Sequence, residues 1–405
     1  MIPLLSGVKV VEMTSVVMGP FAGQILADLG ADVVKIEPLA GDIARDADPA
    51  PIVGMGAMYV NNNRNKKTIA LDAKSPAGFE VARRLISRAN VFLHNMRIEA
   101  VERLGFGFDA VSGMNPKIVY CSAIGFGQGG RYRDLPAYDD VIQAASGLVG
   151  LTQKFGQDPQ LLPTILADKV GALYSVYGVL VALVHQANGG DKAIKVEMSM
   201  FEALASFVLN EHLASATFAR EGSTGYHRIL SPNRKPHRTK DGWIVVLPYT
   251  SENWRALITE LDRTDIMGQD WFADRVERAK RANYLYGEIA PAMAEKTTAE
   301  WLEILNRLDV PCSRVNSLDD LLEDPHLADV GFFAPQGNFP SYIARSLPQP
   351  VVFSGLAQVD DKPAPAHGSD TREILLACGY TEADVEAMVK GGVVATGGNR
   401  NVRVA

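Results

Sequence analysis

Cysteine is scarce in this chain: Cys121, Cys312 and Cys378 are the only three in 405 residues. An odd and widely spaced set offers neither a disulfide framework nor a C-x-x-C metal or redox pair. The 7 histidines are scattered without H-E-x-x-H spacing, so no metal site is expected. A phosphate-binding G-x-x-x-x-G-K-[ST] loop and a G-x-S-x-G nucleophile elbow are both missing. Positive charge is in short supply, with 40 Lys and Arg against 47 Asp and Glu and a net charge of −7. That excludes a global basic footprint for nucleic acid, and any anionic ligand must be met by local cations. The opening residues, MIPLLSGVKVVEM, lack a cationic flank before a long apolar core and are not expected to act as a signal peptide. The longest uncharged apolar run, Val170–Val184, falls short of the roughly 20 residues of a membrane span. No membrane partner is expected, and a reducing cytoplasm is the expected location.

What remains is an ordinary globular composition, 47% hydrophobic and 21% charged, at a length that suits two or three domains. The apolar run Val8–Met13 reads as a strand, followed by a loop to Gly19 and a helix over Phe21–Leu29 that begins near Pro20. Asp32–Glu37 is the next strand, so the unit is strand–helix–strand and its strands are expected to be parallel. Further strands are expected at Thr68–Leu71, Asn90–Leu93, Ile118–Cys121 and Ala193–Met198, with helices at Ala77–Arg88, Tyr138–Leu148 and Met200–Ala219. The expected fold is α/β, a large doubly wound, Rossmann-like domain plus a small α/β domain. Residues 1–221 are expected to form the N-terminal part of the large domain and 222–311 the small one. Residues 312–405 are read as a linker and a return to the large domain, with a strand at Leu347–Phe353 and an extended or frayed stretch from Gly391.

Four stretches carry candidate chemistry. The Thr14–Glu37 unit ends on an acid, as dinucleotide sites do, but Gly19 and Gly23 do not make the three-glycine fingerprint. Arg64, Lys66, Lys67, Lys74, Arg97 and Arg103 cluster around two strands and would either meet phosphates or form a solvated face. Gly125–Arg133 is a glycine-rich, mobile-looking loop followed by PAYDD. Finally, Leu162–Gln186 carries one acid, Asp168, at the mouth of a helix that looks apolar on every face and is expected to be buried all round. Asp168 reads either as an N-cap or as a nucleophile kept ionised by the positive end of the helix dipole.

Several ordered segments decide between those readings. VEMTSVVMGPFAGQILADLGADVVKIEPLAGDIAR, NRNKKTIALDAK, HNMRIEAVERLGFGFDAV, PKIVYCSAIGFGQGG, AYDDVIQAASGL and the Asp168 helix resemble the class III coenzyme A transferases, the formyl-CoA and carnitine-CoA transferase group. The resemblance continues through TKDGWIVV, VPCSRVNS, EDPHL and GSDTREILLACGY. It implies transfer of CoA between two carboxylic acids through an aspartyl-CoA thioester on Asp168, in an interlocked homodimer. CoA, as a substrate, would be the only cofactor-like molecule, with no metal and no nucleotide cofactor. Its contacts would map to Val17, Met18, Pro38, Leu71, Asp72, Ala73, Lys74, Asn95, Met96, Arg97, Arg103, Pro136, Ala137, Tyr138 and Asp139. Gly125, Gly127 and Arg228 are candidates for the acyl side, Arg228 for the distal carboxylate of a dicarboxylic acid such as succinate. The same group contains α-methylacyl-CoA racemases, which carry a His–Asp pair where this chain has Tyr138–Asp139. Without that His a two-base racemase lacks a proton carrier, so transferase is the favoured reading and racemase or isomerase the alternative.

Overall fold

The computed structural model describes residues 1–47, 49–154, 156–333 and 337–397. The chain divides into two units. The larger comprises Met1–Gly147, Leu161–Phe207 and Gly331–Ala405, and the smaller comprises Leu148–Gln160 and Val208–Val330. The expected boundary at residue 222 thus lies inside the smaller unit.

The larger unit is built on a seven-stranded sheet. Its strands are β1 (Lys9–Met13), β2 (Asp32–Glu37), β3 (Lys67–Leu71), β4 (Val91–His94), β5 (Val119–Ile124), β6 (Ile194–Ser199) and, after three strands of the smaller unit, β10 (Val394–Ala395). The spatial order β10-β3-β2-β1-β4-β5-β6 is the doubly wound 3-2-1-4-5-6 order with one added edge strand. Every pairing is parallel except β10 on β3. Continuous apolar runs such as VFLH in β4 and VYCSAI in β5 are wholly buried, as strands covered on both faces must be. Alternate residues feed two cores: Val11, Phe92 and Tyr120 on one face, Val10, Leu93 and Val119 on the other.

One expectation in this unit fails. Leu347–Phe353 forms no strand; Pro348 and Pro350 remove two backbone donors that a ladder would need. Of the two alternatives for the Gly391 stretch, its described part takes the extended one: Val394 and Ala395 pair antiparallel with Leu71 and Ala70. A two-residue edge strand carries too short a pattern to stand out. Residues 398–405 of the same stretch lie outside the described residues.

The cationic cluster is neither a phosphate cradle nor a solvated face at its buried end. Lys66 Nζ donates to Glu12 Oε1 at 2.8 Å, Pro20 O at 2.8 Å and Asn63 Oδ1 at 3.0 Å. Lys35 Nζ donates to Thr14 O at 2.7 Å and lies 3.0 Å from Asp42 Oδ2. Arg64 pairs with Asp28, and Lys67 reaches Glu373 at 2.9 Å. Glu37, the acid that would face a ribose, is buried and held by Arg45 Nε at 2.8 Å and Nη2 at 2.7 Å. Buried though it is, those bonds hold its carboxyl down at about 2. Gly23 serves this network: a Cβ there would overlap the Glu12 carboxylate, so the glycine admits a buried charge instead of a pyrophosphate.

The smaller unit holds an antiparallel three-stranded sheet, β7 (His237–Arg238), β8 (Trp243–Val246) and β9 (Cys312–Arg314). Helices Ser251–Glu260, Ala282–Met293 and Thr298–Arg307 pack Leu257, Leu285, Ile289, Trp301 and Leu305 into its core. Two of those helices start on threonine capping boxes, Thr250 with Asn253 and Thr297 with Glu300.

Candidate active site

In a doubly wound sheet, ligands gather where the strand order reverses, outside the carboxyl ends of the two strands that flank the reversal. Here those strands are β1 and β4. A cavity of about 620 Å³ opens there, lined by Ser15, Val16 and Met18 after β1, Asn95 to Ile98 after β4, and Ala123 to Phe126 at the end of β5. Ala137, Tyr138 and Asp139 form a further wall, and Asp168 reaches the same cavity.

The Asp168 helix spans Leu166–Ala187. Its N-cap is Ile165, without a side-chain cap bond, so Asp168 does not cap it. The third helical residue is Asp168 itself, and its own N–H donates to Asp139 Oδ1 at 3.1 Å. Asp139 is therefore the side chain that satisfies a free amide of this helix start. Gln143, one helical turn beyond Asp139 on helix Asp139–Ala145, completes the arrangement. Its Nε2 donates to Asp139 Oδ2 at 2.6 Å and to Thr164 O at 3.0 Å, while its Oε1 accepts from Leu162 N at 3.0 Å. Fully buried, Gln143 ties the segment that leads into the Asp168 helix to the helix that carries Asp139.

Burial and the neighbouring Asp139 charge push the Asp168 carboxyl up to about 6. The carboxylate is still the main form at neutral pH, and it is a stronger base and nucleophile than an ordinary aspartate. Among the described residues no Lys, Arg or His lies within ion-pair distance of it.

The β1 loop is held under strain. Val16 has φ of 69°, a left-handed backbone that a β-branched residue seldom adopts. It is fixed by Val16 N–H donating to Asp42 Oδ1 at 3.1 Å, and by Asn95, which bonds the main chain of Ser15 on both sides. The Asn95 side chain thus binds protein backbone, and a ligand at this position would meet the loop it positions. Val16, Asp42 and Gln143 escaped sequence reading. The four-residue spacing of Asp139 and Gln143 was the one available signal; nothing in the sequence announces the Val16 backbone.

The expected site residues divide. Met18, Asn95, Met96, Arg97, Gly125, Ala137, Tyr138, Asp139 and Asp168 line the one cavity. Val17 is buried as the N-cap residue of helix Met18–Asp28. Pro38, Asp72 to Lys74, Arg103 and Pro136 are exposed or half-buried outside it, and Leu71 is buried at the end of β3. Gly125 is required by close approach, since a Cβ on it would overlap Ala137 across the wall. Gly127 does not line the cavity; its N–H donates to Glu202 Oε1 at 3.1 Å. With Gln128 N–H on Glu197 Oε1 at 2.8 Å, the front of the glycine loop is tethered, against the expectation of a mobile one. Arg228 belongs to the smaller unit, with its guanidinium 4.8 Å from the centre of the Tyr249 ring.

Comparison with known proteins places this geometry. The chain is 28% identical over 396 residues to succinyl-CoA:glutarate CoA-transferase of Mus musculus, covering 96% of this chain and 90% of that one. It is 27% identical to succinate–glutarate CoA-transferase of Agrobacterium fabrum, covering 92% and 95%. The crystal structure of a CAIB/BAIF family protein from Brucella suis superposes with a TM-score of 0.78 at 26% identity, covering 93% of this chain and all of that one. With residues 5–371 matching the model of CoA-transferase family III, the chain belongs to that family.

Proposed function

We propose that this CoA-transferase moves CoA between two carboxylic acids, one of them a dicarboxylic acid such as succinate, with Asp168 as the nucleophile. The observation that carries the reading is Asp168 itself: an unpaired carboxylate, fixed by its helix and opening on the cavity at the reversal of the sheet. The glutarate and succinate named for the two relatives support the dicarboxylic class.

The chemistry follows from the residue. An Asp168 carboxylate oxygen bonds to the thioester carbonyl carbon, the C–S bond breaks, and CoA leaves as thiolate from an acyl-aspartyl anhydride. The thiolate then attacks the Asp168 carbonyl carbon, the bond from that carbon to the bridging oxygen breaks, and the first acid departs as carboxylate. A β-aspartyl-CoA thioester remains. The second acid attacks that thioester and the two steps run in reverse. One thioester replaces another of similar energy, so the exchange needs no external energy source. The protein contributes position: Gln143 and Asp139 fix the helix start, and the strained Val16 loop and Asn95 fix the facing wall.

The subunit is further proposed to act as an interlocked homodimer. The Asp168 helix supports this by exposing Leu173, Tyr177, Val181 and Val184, 56 to 62% exposed, as one apolar stripe.

A screen of acyl-CoA donors against carboxylic acids, read by mass spectrometry of the thioesters, tests the activity. Succinyl-CoA is expected to give glutaryl-CoA with glutarate. Absence of exchange with every acid pair, or deuterium wash-in at the acyl α-carbon without CoA exchange, contradicts the proposal.

A further inference from the structure

The smaller unit contains an unusual concentration of unpaired positive charge. Arg278 is only 4% exposed, yet its guanidinium reaches neutral partners, Phe272 O at 2.6 Å and Ser251 Oγ at 2.8 Å. Among the described residues no carboxylate lies within ion-pair distance of Arg278, Arg228 or Arg275. A buried cation with no carboxylate in ion-pair contact is costly, and Glu252 and Asp274 act on Arg278 only from beyond that distance. Two of the five N–H donors of Arg278 are spent on the neutral acceptors, which leaves donors for a ligand.

Beside it stands a second unmet group. The Tyr286 hydroxyl is buried without a hydrogen-bond partner, on a side chain 1% exposed. Arg228 stands within reach of that hydroxyl, close enough to act on it by charge and as a donor to its oxygen, which leaves the hydroxyl proton free for a ligand. Arg228, Arg275, Arg278 and Tyr286 all line one small cavity of about 40 Å³, walled by Trp254 and Ala282. Three guanidinium groups and no carboxylate face a space that holds a few atoms. Asn283 secures the arrangement: its Oδ1 accepts from Ser231 Oγ and Asn233 N, both at 3.1 Å, and so ties the segment carrying Arg228 to the helix carrying Tyr286.

We propose that this cavity is a binding site for the carboxylate end of an organic acid, bridged by Arg228, Arg278 and the Tyr286 hydroxyl. Arg forks match the planar carboxylate, and the Trp254 and Ala282 walls suit the carbon stem next to it better than a free phosphate hydrated on all sides. The site lies wholly within the smaller unit and stands independently of the assignment of Asp168.

Calorimetric titration of the whole protein with succinate, acetate and inorganic phosphate tests it. Succinate and acetate are expected to bind, about tenfold more weakly in Tyr286→Phe and at least as much more weakly in Arg228→Met, where about 1.4 kcal/mol corresponds to tenfold. Asp168→Asn is expected to retain the site. Tyr286→Phe removes one hydroxyl and keeps the buried ring, so it keeps the fold and isolates the binding effect. The proposal is overturned if carboxylates give no saturable binding. Binding that is equal in wild type, Tyr286→Phe and Arg228→Met also overturns it, and so does phosphate binding as tightly as succinate through Tyr286.

Discussion

At the scale of single residues, the account turns on Asp168. Its carboxyl is pushed up to about 6 by burial and by Asp139. The proposed nucleophile is the ionised form, so transfer is expected to fall about tenfold per pH unit below that value. Asp139→Asn removes the neighbouring charge while keeping an acceptor for the Asp168 N–H; its pH–rate profile should show the acid limb moved to lower pH. An unmoved limb would assign that limb to another group. Stability carries the opposite signature. Unfolded Asp168 loses its proton near 3.8 and the folded residue near 6, so the folded state holds the extra proton between those values. Stability therefore falls as pH rises through that window, and the full cost is present above it. Asp168→Asn is expected to raise stability at pH 8 by about 1–3 kcal/mol and to lose that advantage below pH 4, as urea unfolding at the two pH values will show. Sequence reading singled out Asp168 as a lone acid at the mouth of an apolar helix. It left open a capping role, because cap and third helical residue differ by a boundary shift of three positions, within the usual uncertainty of helix ends. The Val16 backbone and the fate of each loop N–H depend on contacts that no local pattern encodes.

At the scale of elements, the strands were legible because both faces of the sheet are covered, which turns each strand into a continuous apolar run. The Asp168 helix was harder. It is apolar all round in sequence, which reads as wholly buried, yet only its Val170, Ala172, Val176 and Val179 side is covered. The small side chains face the sheet core, and the bulky Leu173, Tyr177 and Val181 face outward. At 22 residues it is also long and apolar enough to cross a membrane by length and composition alone, beyond the shorter run expected from the sequence. The cationic stretch was misread for a different reason: a lysine that ends in a buried pair looks in sequence like one that ends in water. Lys66→Met leaves Glu12 with Lys35 at 3.7 Å as its remaining cation. That variant is expected to lose about 3 kcal/mol in urea unfolding, the low end for breaking a buried pair. An unchanged midpoint would show that the network adds nothing to stability.

At the scale of the whole molecule, family membership was the most legible property, because many short ordered segments agree along nearly the full chain. The doubly wound order followed from the alternation of strands and helices, and it fixes where a cavity can open. The units were read less sharply, since the main segment of the smaller one begins within helix Met200–His212, where apolar periodicity runs on without a break. The exposed apolar stripe belongs to this scale too. Wild-type protein is expected to sediment as a dimer, and Val181→Glu with Tyr177→Glu to sediment as a monomer or fail to assemble; a monomeric wild type removes the dimer proposal. The central claim, covalent catalysis by Asp168, is tested most directly by trapping. The protein is incubated with succinyl-CoA, treated with hydroxylamine, digested, and analysed by mass spectrometry. The expected result is a hydroxamate on Asp168 that requires acyl-CoA, with transfer abolished in Asp168→Ala. An unmodified Asp168, together with full activity in Asp168→Ala, contradicts the account.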